Sequence, residues 1–467
     1  MDEDADKGPV EEIEDALDED AYAIDRRTVA AILYAVDVGD REKLIELMEP
    51  LHAADIADLL EQINAYDRRR LVELYDKEFD GEILSELDDS VREEVISLLS
   101  PEVLSEAVRE LDSDDVVDLL EYLEEPQQEQ ILEALELSDR VAVEQALTYP
   151  EESAGRLMQR EVVAVPEHWT VGETIDFMRA RDDLPDQFYH VILVDPRMKP
   201  AGHVALGKLM ASPRARPLTE ILEPSFRTIP ADQDEGDVAY AFNQYHLISA
   251  PVVDDNERLV GVITIDDAMI VLDEEHEEDI LRLAGVGEDS SLSDSVLSTT
   301  QRRFPWLSVN LFTAMIAATV ISLFEETISA FVALAVLMPI VASMGGNAGT
   351  QTLTVAVRSI ATRDLTGANV MRVIRREVLV GLLNGIGFAI VMGTLAAIWS
   401  GSMIVGAVLG AAMVINLVVA GFAGTVVPVT LEKLGVDPAL ASGTFVTTTT
   451  DVIGFFAFLG LATLALT

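Results

Sequence analysis

PIVASMGGNAGTQ, residues 339–351, lies inside an apolar run that extends from about Ile328 to about Ile360. A bilayer core of about 30 Å takes about 20 residues of helix, so the run is too long for one simple span. A chain in lipid must satisfy its backbone polar groups internally, and Pro339, Gly345, Gly346 and Gly349 all work against that. One expectation is a helix that opens near Met344 to Asn347 and frees carbonyls toward protein or water. The other is a patch of small residues for close helix packing. These residues alone leave both open.

Four more apolar stretches, about 306–324, 378–399, 403–430 and 439–466, bring the expected membrane spans to five. Arg358, Arg363, Arg372, Arg375 and Arg376 lie between spans two and three and Lys433 between four and five, whereas Glu325 and Glu326 lie between one and two. The positive-inside rule then puts the amino terminus in the cytoplasm and Thr467 outside. No charged segment followed by a short apolar one opens the chain, so no cleaved signal peptide is expected. Within the spans one acid sits far from every end, Asp451, preceded by four threonines, Thr447 to Thr450. A charge at that depth costs about 2.5–3.5 kcal/mol even on the lenient insertion scale and normally faces a partner or a wet path. No base occupies matching depth, which leaves Asp451 for a cation or a proton, or protonated and hydrogen-bonded to the threonines.

Of 467 residues with net charge −51, residues 301–467 hold 7 Asp+Glu and 8 Lys+Arg, leaving 76 acids and 24 bases in residues 1–300. Such a field repels nucleic acid and concentrates cations. Solvated acidic faces, adaptation to a salty cytoplasm and cation sensing all account for it; scarce lysine and abundant aspartate favour the halophilic reading. The absence of cysteine removes disulfides and thiolate metal sites. Residues 301–467 also hold no His and no HExxH pattern, which argues against an intramembrane metalloprotease.

Residues 1–27 are mostly Asp, Glu and Ala and are expected to be a disordered acidic tail. From 28 to 152 apolar residues recur at helical spacing, and LHAADIADLLEQI (51–63) repeats as LDSDDVVDLLEYL (111–123), matching Asp55 with Asp115, Asp58 with Asp118 and Glu61 with Glu121. A superhelical array of short helices fits this pattern. The matched acids read either as caps and solvated faces or as a cation-bridged contact with the next domain. After Ser153, short β-rich runs alternate with helices, and VVAVPEHWTVGETIDFM (162–178) is answered by FRTIPADQDEGDVAYAF (226–242). HVILVD (190–195) is likewise answered by SAPVVD (249–254). Two tandem α/β modules, 153–213 and 214–273, are expected. Residues 274–304 then form a charged connector in which Glu274, Glu275, Glu278 and Asp279 fall on adjoining helix faces, where like charges repel by roughly 0.2–0.5 kcal/mol per pair unless a cation intervenes. RRFPW (302–306) suits a cytoplasmic membrane boundary, from which the membrane domain runs over 305–467.

The α/β pair resembles cystathionine-β-synthase (CBS) domains. Its second copy ends GVITIDDA, with Gly261, Thr264 and Asp267 in the family's Gly-x-x-Thr-x-x-Asp pattern. That resemblance implies a candidate adenine nucleotide (ATP) site at Thr264 and Asp267, with the ribose on Asp267. The first copy, GHVALGKLM from Gly202, lacks the Thr and Asp. Across nearly the whole chain, MGGNAGTQ after Pro339, RRFPW and the threonine-rich approach to Asp451 resemble MgtE-type magnesium channels. The resemblance implies a multidomain fold: a superhelical cytoplasmic N-domain, tandem CBS domains, a connecting plug helix and an all-α five-helix membrane domain. It further implies a homodimer in the plasma membrane with its pore between subunits, where Asp451, Asn347 and Thr447 meet Mg2+. Cytosolic Mg2+ is then expected to close the pore through Asp234, Asp267, Glu275, Glu278 and Asp279. Gly236, His246 and Ile270 stand where sensing members carry carboxylates. The alternatives are a proton-coupled carrier of Co2+, Mn2+ or Mg2+ and a CBS-regulated sensor that transports nothing; no enzymatic role is expected.

Overall fold

A computed structural model describes residues 24–286 and 296–466, apart from 110, 122, 124, 182, 183 and 186. The acidic tail expected over 1–27 lies outside the described residues up to 23, and Arg26 already opens a helix capped by Asp25. Contacts divide the chain into one unit ending at Asp273 and another beginning at Glu274.

Short helices follow one another from Arg26–Val38 to Leu137–Ala146. Polar caps set where several begin: Asp40 accepts from the Lys43 amide at 3.2 Å, and Asn64 from the Tyr66 and Asp67 amides. The two repeat helices, α1 (Ala53–Gln62) and α2 (Ser113–Glu121), bury corresponding residues: Ile56, Ala57, Leu59 and Leu60 in α1, Val116, Val117, Leu119 and Leu120 in α2. All eight join one core with Leu71, Ile83 and Val95. Four of the matched acids do local work. Asp55 closes a capping box on the His52 amide, Glu61 accepts from the Asp88 amide at 2.8 Å, Asp118 pairs with Arg92 at 2.9 Å and Glu121 with Arg156 at 2.7 Å.

The tandem modules share one design. Strand β1 (Ala164–Pro166) runs parallel to β2 (His190–Val194), which pairs antiparallel with β3 (Pro200–Ala205); α3 (Val171–Arg179) crosses between β1 and β2. In the second module β4 (Ile229–Pro230), α4 (Glu235–Tyr245), β5 (Ser249–Val253) and β6 (Leu259–Thr264) repeat this order. The register irregularity after Leu193 recurs after Val252. Residues 154–159 stitch onto the second module, with the Ala154 amide on the Gln233 carbonyl at 2.7 Å and Gln159 on Val262 at 2.9 Å. The His190 and Ser249 side chains, at equivalent strand starts, meet at 2.7 Å.

From β6 the chain enters α5 (Ile265–Ala284), so the first part of the 274–304 connector continues the helix of the second module. Residues 287–295 of that connector, with its serine-rich stretch, lie outside the described residues, and 296 already belongs to the first long apolar helix. Among the described residues five helices are long and apolar enough to cross a membrane: α6 (Val296–Ser322), α7 (Ala333–Ala361), α8 (Val370–Ser400), α9 (Met403–Lys433) and α10 (Pro438–Leu466). The most buried is α9, which packs against α7, α8 and α10.

The expected opening at Met344 to Asn347 does not occur. Helix α7 runs unbroken through Pro339 and all three glycines, and the long apolar run is divided instead at Phe331, between the short helix Glu325–Ala330 and α7. Gly345 and Gly349 serve close approach, Gly345 against the Asn416 side chain of α9, while a Cβ on Gly349 would lie 2.7 Å from Val446 of α10 and one on Gly424 of α9 would lie 2.8 Å from the Gly349 carbonyl. Packing against two neighbours offsets the glycine cost that would favour unwinding in isolation.

Candidate ion pathway and acidic sites

Asp451 is half-buried on α10 and opens into a cavity of about 440 Å3. Hydroxyl-bearing residues from three helices wall it, Thr350 and Thr354 from α7, Thr444, Thr447 and Thr448 from α10 and Thr313 from α6, which also contributes Asn310. Thr350, Thr354 and Thr448 turn their hydroxyl donors to backbone carbonyls one turn back, Thr448 to Thr444 at 2.6 Å and Thr354 to Thr350 at 3.0 Å, and Thr444 donates to Asn310 Oδ1 at 2.8 Å, which leaves oxygen lone pairs available to the cavity. Among the described residues no side chain hydrogen-bonds or ion-pairs with Asp451, so the threonine-paired alternative is not what the fold adopts. A second, apolar groove of about 650 Å3 between α8 and α9 holds no ionisable group.

The glycine segment and Asp451 therefore belong to touching helices, but Thr350 and Thr354 rather than Asn347 share the cavity with the acid. Asn347 is exposed on α7, three residues before Thr350. Thr447 is exposed and lines the cavity as well. Thr350 escaped sequence reading because a threonine in an apolar helix carries no signal until its face is known; its spacing from Asn347 was the available clue.

The end of α5 forms the other wall of this cavity through Arg282, Leu283, Ala284 and Gly285. Leu283 packs on Leu353, Val357, Ala439 and Val446. Gly285, at φ 72°, ends the helix with amides turned back to the Arg282 and Leu281 carbonyls at 3.0 Å, and the Trp306 indole fills the space where a Cβ would sit. Arg282 bridges Glu278 and Asp437, each at 2.8 Å. Burial, and next the neighbouring Asp437, push the Asp279 carboxyl above its ordinary range. Glu275 is exposed on the same helix.

A second acidic group lies in the unit that ends at Asp273. Asp267 accepts from the Thr264 hydroxyl at 2.5 Å, which fixes the start of α5, and faces the first turn of α2. There Asp114 is buried at 8 % exposure; burial and then Asp267 hold its carboxyl well above the usual range. The same two causes push Asp115 up to about 7, while burial, opposed by the Thr264 bond, pushes Asp267 up to about 6. Asp115 makes no ion pair among the described residues, unlike the repeat acids Asp118 and Glu121, whereas Asp114 lies outside the matched pairs and was legible only in the fold. Asp234 is spent as the cap of α4, accepting from the Asp237 amide at 3.1 Å. No group of three acids or histidines among the described residues stands in metal-holding geometry.

Residues 338–461 match the model of the MgtE divalent cation transporter family, 51–152 the MgtE intracellular N domain and 218–274 the CBS domain. The magnesium transporter MgtE of Thermus thermophilus is 34 % identical over 330 residues, covering 70 % of this chain and 73 % of that protein. The magnesium transporter MgtE of Enterococcus faecalis is 33 % identical over 322 residues, covering 69 % and 71 %. The structure of the cytosolic domain of the Mg2+ channel MgtE in complex with ATP is 30 % identical, at TM-score 0.49, over 52 % of this chain and 99 % of that one. The chain belongs to the MgtE family of divalent cation transporters.

Proposed function

We propose that this protein is a Mg2+ channel of the plasma membrane, its amino terminus cytoplasmic, whose ion path passes the cavity between α7 and α10. The observation that carries this reading is Asp451: a carboxylate far from either end of an apolar helix, with no protein partner among the described residues, opening into a hydroxyl-lined cavity. Mg2+ demands an octahedron of oxygens and gives up its waters reluctantly, so a carboxylate ringed by hydroxyls and waters suits it better than a dry cage. A homodimer that sets two Asp451 carboxylates across one axis would balance the dication, and the exposed face of α7 that carries Asn347 is available for that contact.

The two acidic groups support closure by cytosolic Mg2+. Asp114, Asp115 and Asp267 are hard oxygen donors that repel one another when charged, and they are the residues that would hold a regulatory Mg2+ through its waters. Glu278 and Asp279 on α5 and Asp437 before α10 form the corresponding group at the cavity wall. In the second module Thr264 and Asp267 are the residues that would meet the ribose of an adenine nucleotide. The test is Mg2+ influx into liposomes holding purified full-length protein, without a pH gradient. The expected result is influx that falls by at least about tenfold in Asp451→Asn, the effect of about 1.4 kcal/mol or more. Undiminished influx in Asp451→Asn would remove the pore assignment, and influx only under a pH gradient would make the protein a proton-coupled carrier.

A further inference from the structure

Asn416 lies near the middle of α9, 1 % exposed, where α7, α9 and α10 cross. Its Nδ2 donates to the Val341 carbonyl of α7 at 2.8 Å, and its Oδ1 is buried with no hydrogen-bond partner among the described residues. Its amide is held between two glycines. A Cβ on Gly345 of α7 would collide with Nδ2, and one on Gly454 of α10 would lie 2.7 Å from it. Gly345 precedes Asn347 by two residues, and Gly454 follows Asp451 by three, so one buried amide grips both helices of the proposed path beside their polar residues.

A half-satisfied amide in a membrane core is a poor choice for stability alone. An apolar side chain of the same shape would lose one hydrogen bond and remove an orphaned acceptor, an exchange that is often neutral or favourable. What leucine cannot supply is direction. A crossing lined by glycines has few knobs to stop one helix from turning or sliding past another, whereas the Nδ2 to carbonyl bond fixes the rotation of α7 about its axis. That rotation decides whether Thr350 and Thr354 face Asp451.

We propose that Asn416 is a positioning residue for ion selection, setting the register of α7 against α10 so that the threonine oxygens and the Asp451 carboxylate present one spacing to the passing cation. This inference rests on the reading of Asp451 as the pore acid. The experiment compares Mg2+ and Mn2+ influx into liposomes for the parent chain, Asn416→Leu, Gly454→Ala, Gly387→Ala and Asp451→Asn, together with thermal unfolding of each in detergent. Gly454→Ala displaces the amide without removing it and keeps the test decisive should Asn416→Leu fail to fold. Gly387→Ala adds a methyl where nothing lies within 4 Å and serves as the control. The expected outcome is that Asn416→Leu unfolds at or above the parent temperature while its Mg2+ to Mn2+ influx ratio changes by about tenfold, equivalent to about 1.4 kcal/mol. Gly454→Ala is expected to shift the ratio in the same direction, and Gly387→Ala to leave it in place. An unchanged ratio in every folded variant of the pair would overturn the proposal, as would a loss of influx that merely follows lost thermal stability. If Asp451→Asn conducts normally the pore reading fails; if it is silent and the ratio still does not move, only the role of Asn416 fails.

Discussion

At Asp115 one residue carries two histories. Its place in the 60-residue repeat equates it with Asp55, a capping acid, yet it is buried close to Asp267, and burial first and Asp267 second push its carboxyl up to about 7. A folded-state pKa raised above the ordinary 3.8 means that the folded chain keeps a proton the unfolded chain has released, so the contribution to stability falls as pH rises from about 4 through about 7. Unfolding of the full-length protein followed across that window should show this loss, and Asp115→Asn should flatten it while raising the unfolding temperature at about pH 8. At the same pH millimolar Mg2+ should stabilise the parent chain, and Asp114→Asn with Asp115→Asn should abolish that increment. A Mg2+ increment that survives the double substitution would locate the regulatory site elsewhere.

Among the elements, the end of α5 is the one whose role depends on a single charge. Arg282 ties it to Asp437 just ahead of α10, and the same turn walls the cavity that holds Asp451. The pair is partly exposed, so its stabilising worth is modest, about 1 kcal/mol or less. Its leverage is positional: a tethered cation already sits between the acids that would hold a regulatory one. Arg282→Gln should therefore raise Mg2+ influx at low cytosolic Mg2+ while closure at high Mg2+ persists, because Glu278, Asp279 and Asp437 are then left for the metal alone. Influx measured into liposomes loaded with graded Mg2+ separates the two limbs, and an identical dependence in parent and variant would deny Arg282 any part in closure.

For the molecule as a whole, charge is segregated by solvent: residues 1–300 carry the acid excess and 301–467 are near neutral. At an ionic strength where the Debye length is about 3 Å, diffuse repulsion is screened while contacts between buried groups persist. Raising KCl should thus stabilise the parent chain and the Asp114→Asn, Asp115→Asn variant by similar amounts, whereas millimolar Mg2+ added at high KCl should stabilise the parent alone. If ionic-strength-matched KCl reproduces the whole Mg2+ effect, sensing reduces to screening.

The number of spans, the tandem modules, the helical repeat and the isolation of Asp451 were all legible from residue order, because each is a periodicity or a solvation cost that acts within one segment. Ile56 and Val116 announce their buried faces by spacing alone, and Asp451 announces itself by depth. Tertiary structure decided what the segments do for one another. PIVASMGGNAGTQ read in isolation is either a helix that opens or a patch for close packing; against α9 and α10 Gly345 and Gly349 become contact surface and α7 stays whole. In the same way Thr350 replaced Asn347 beside Asp451, and Asp114 joined Asp115 and Asp267, since which face a side chain presents, and to which neighbour, is set by packing between elements distant in sequence.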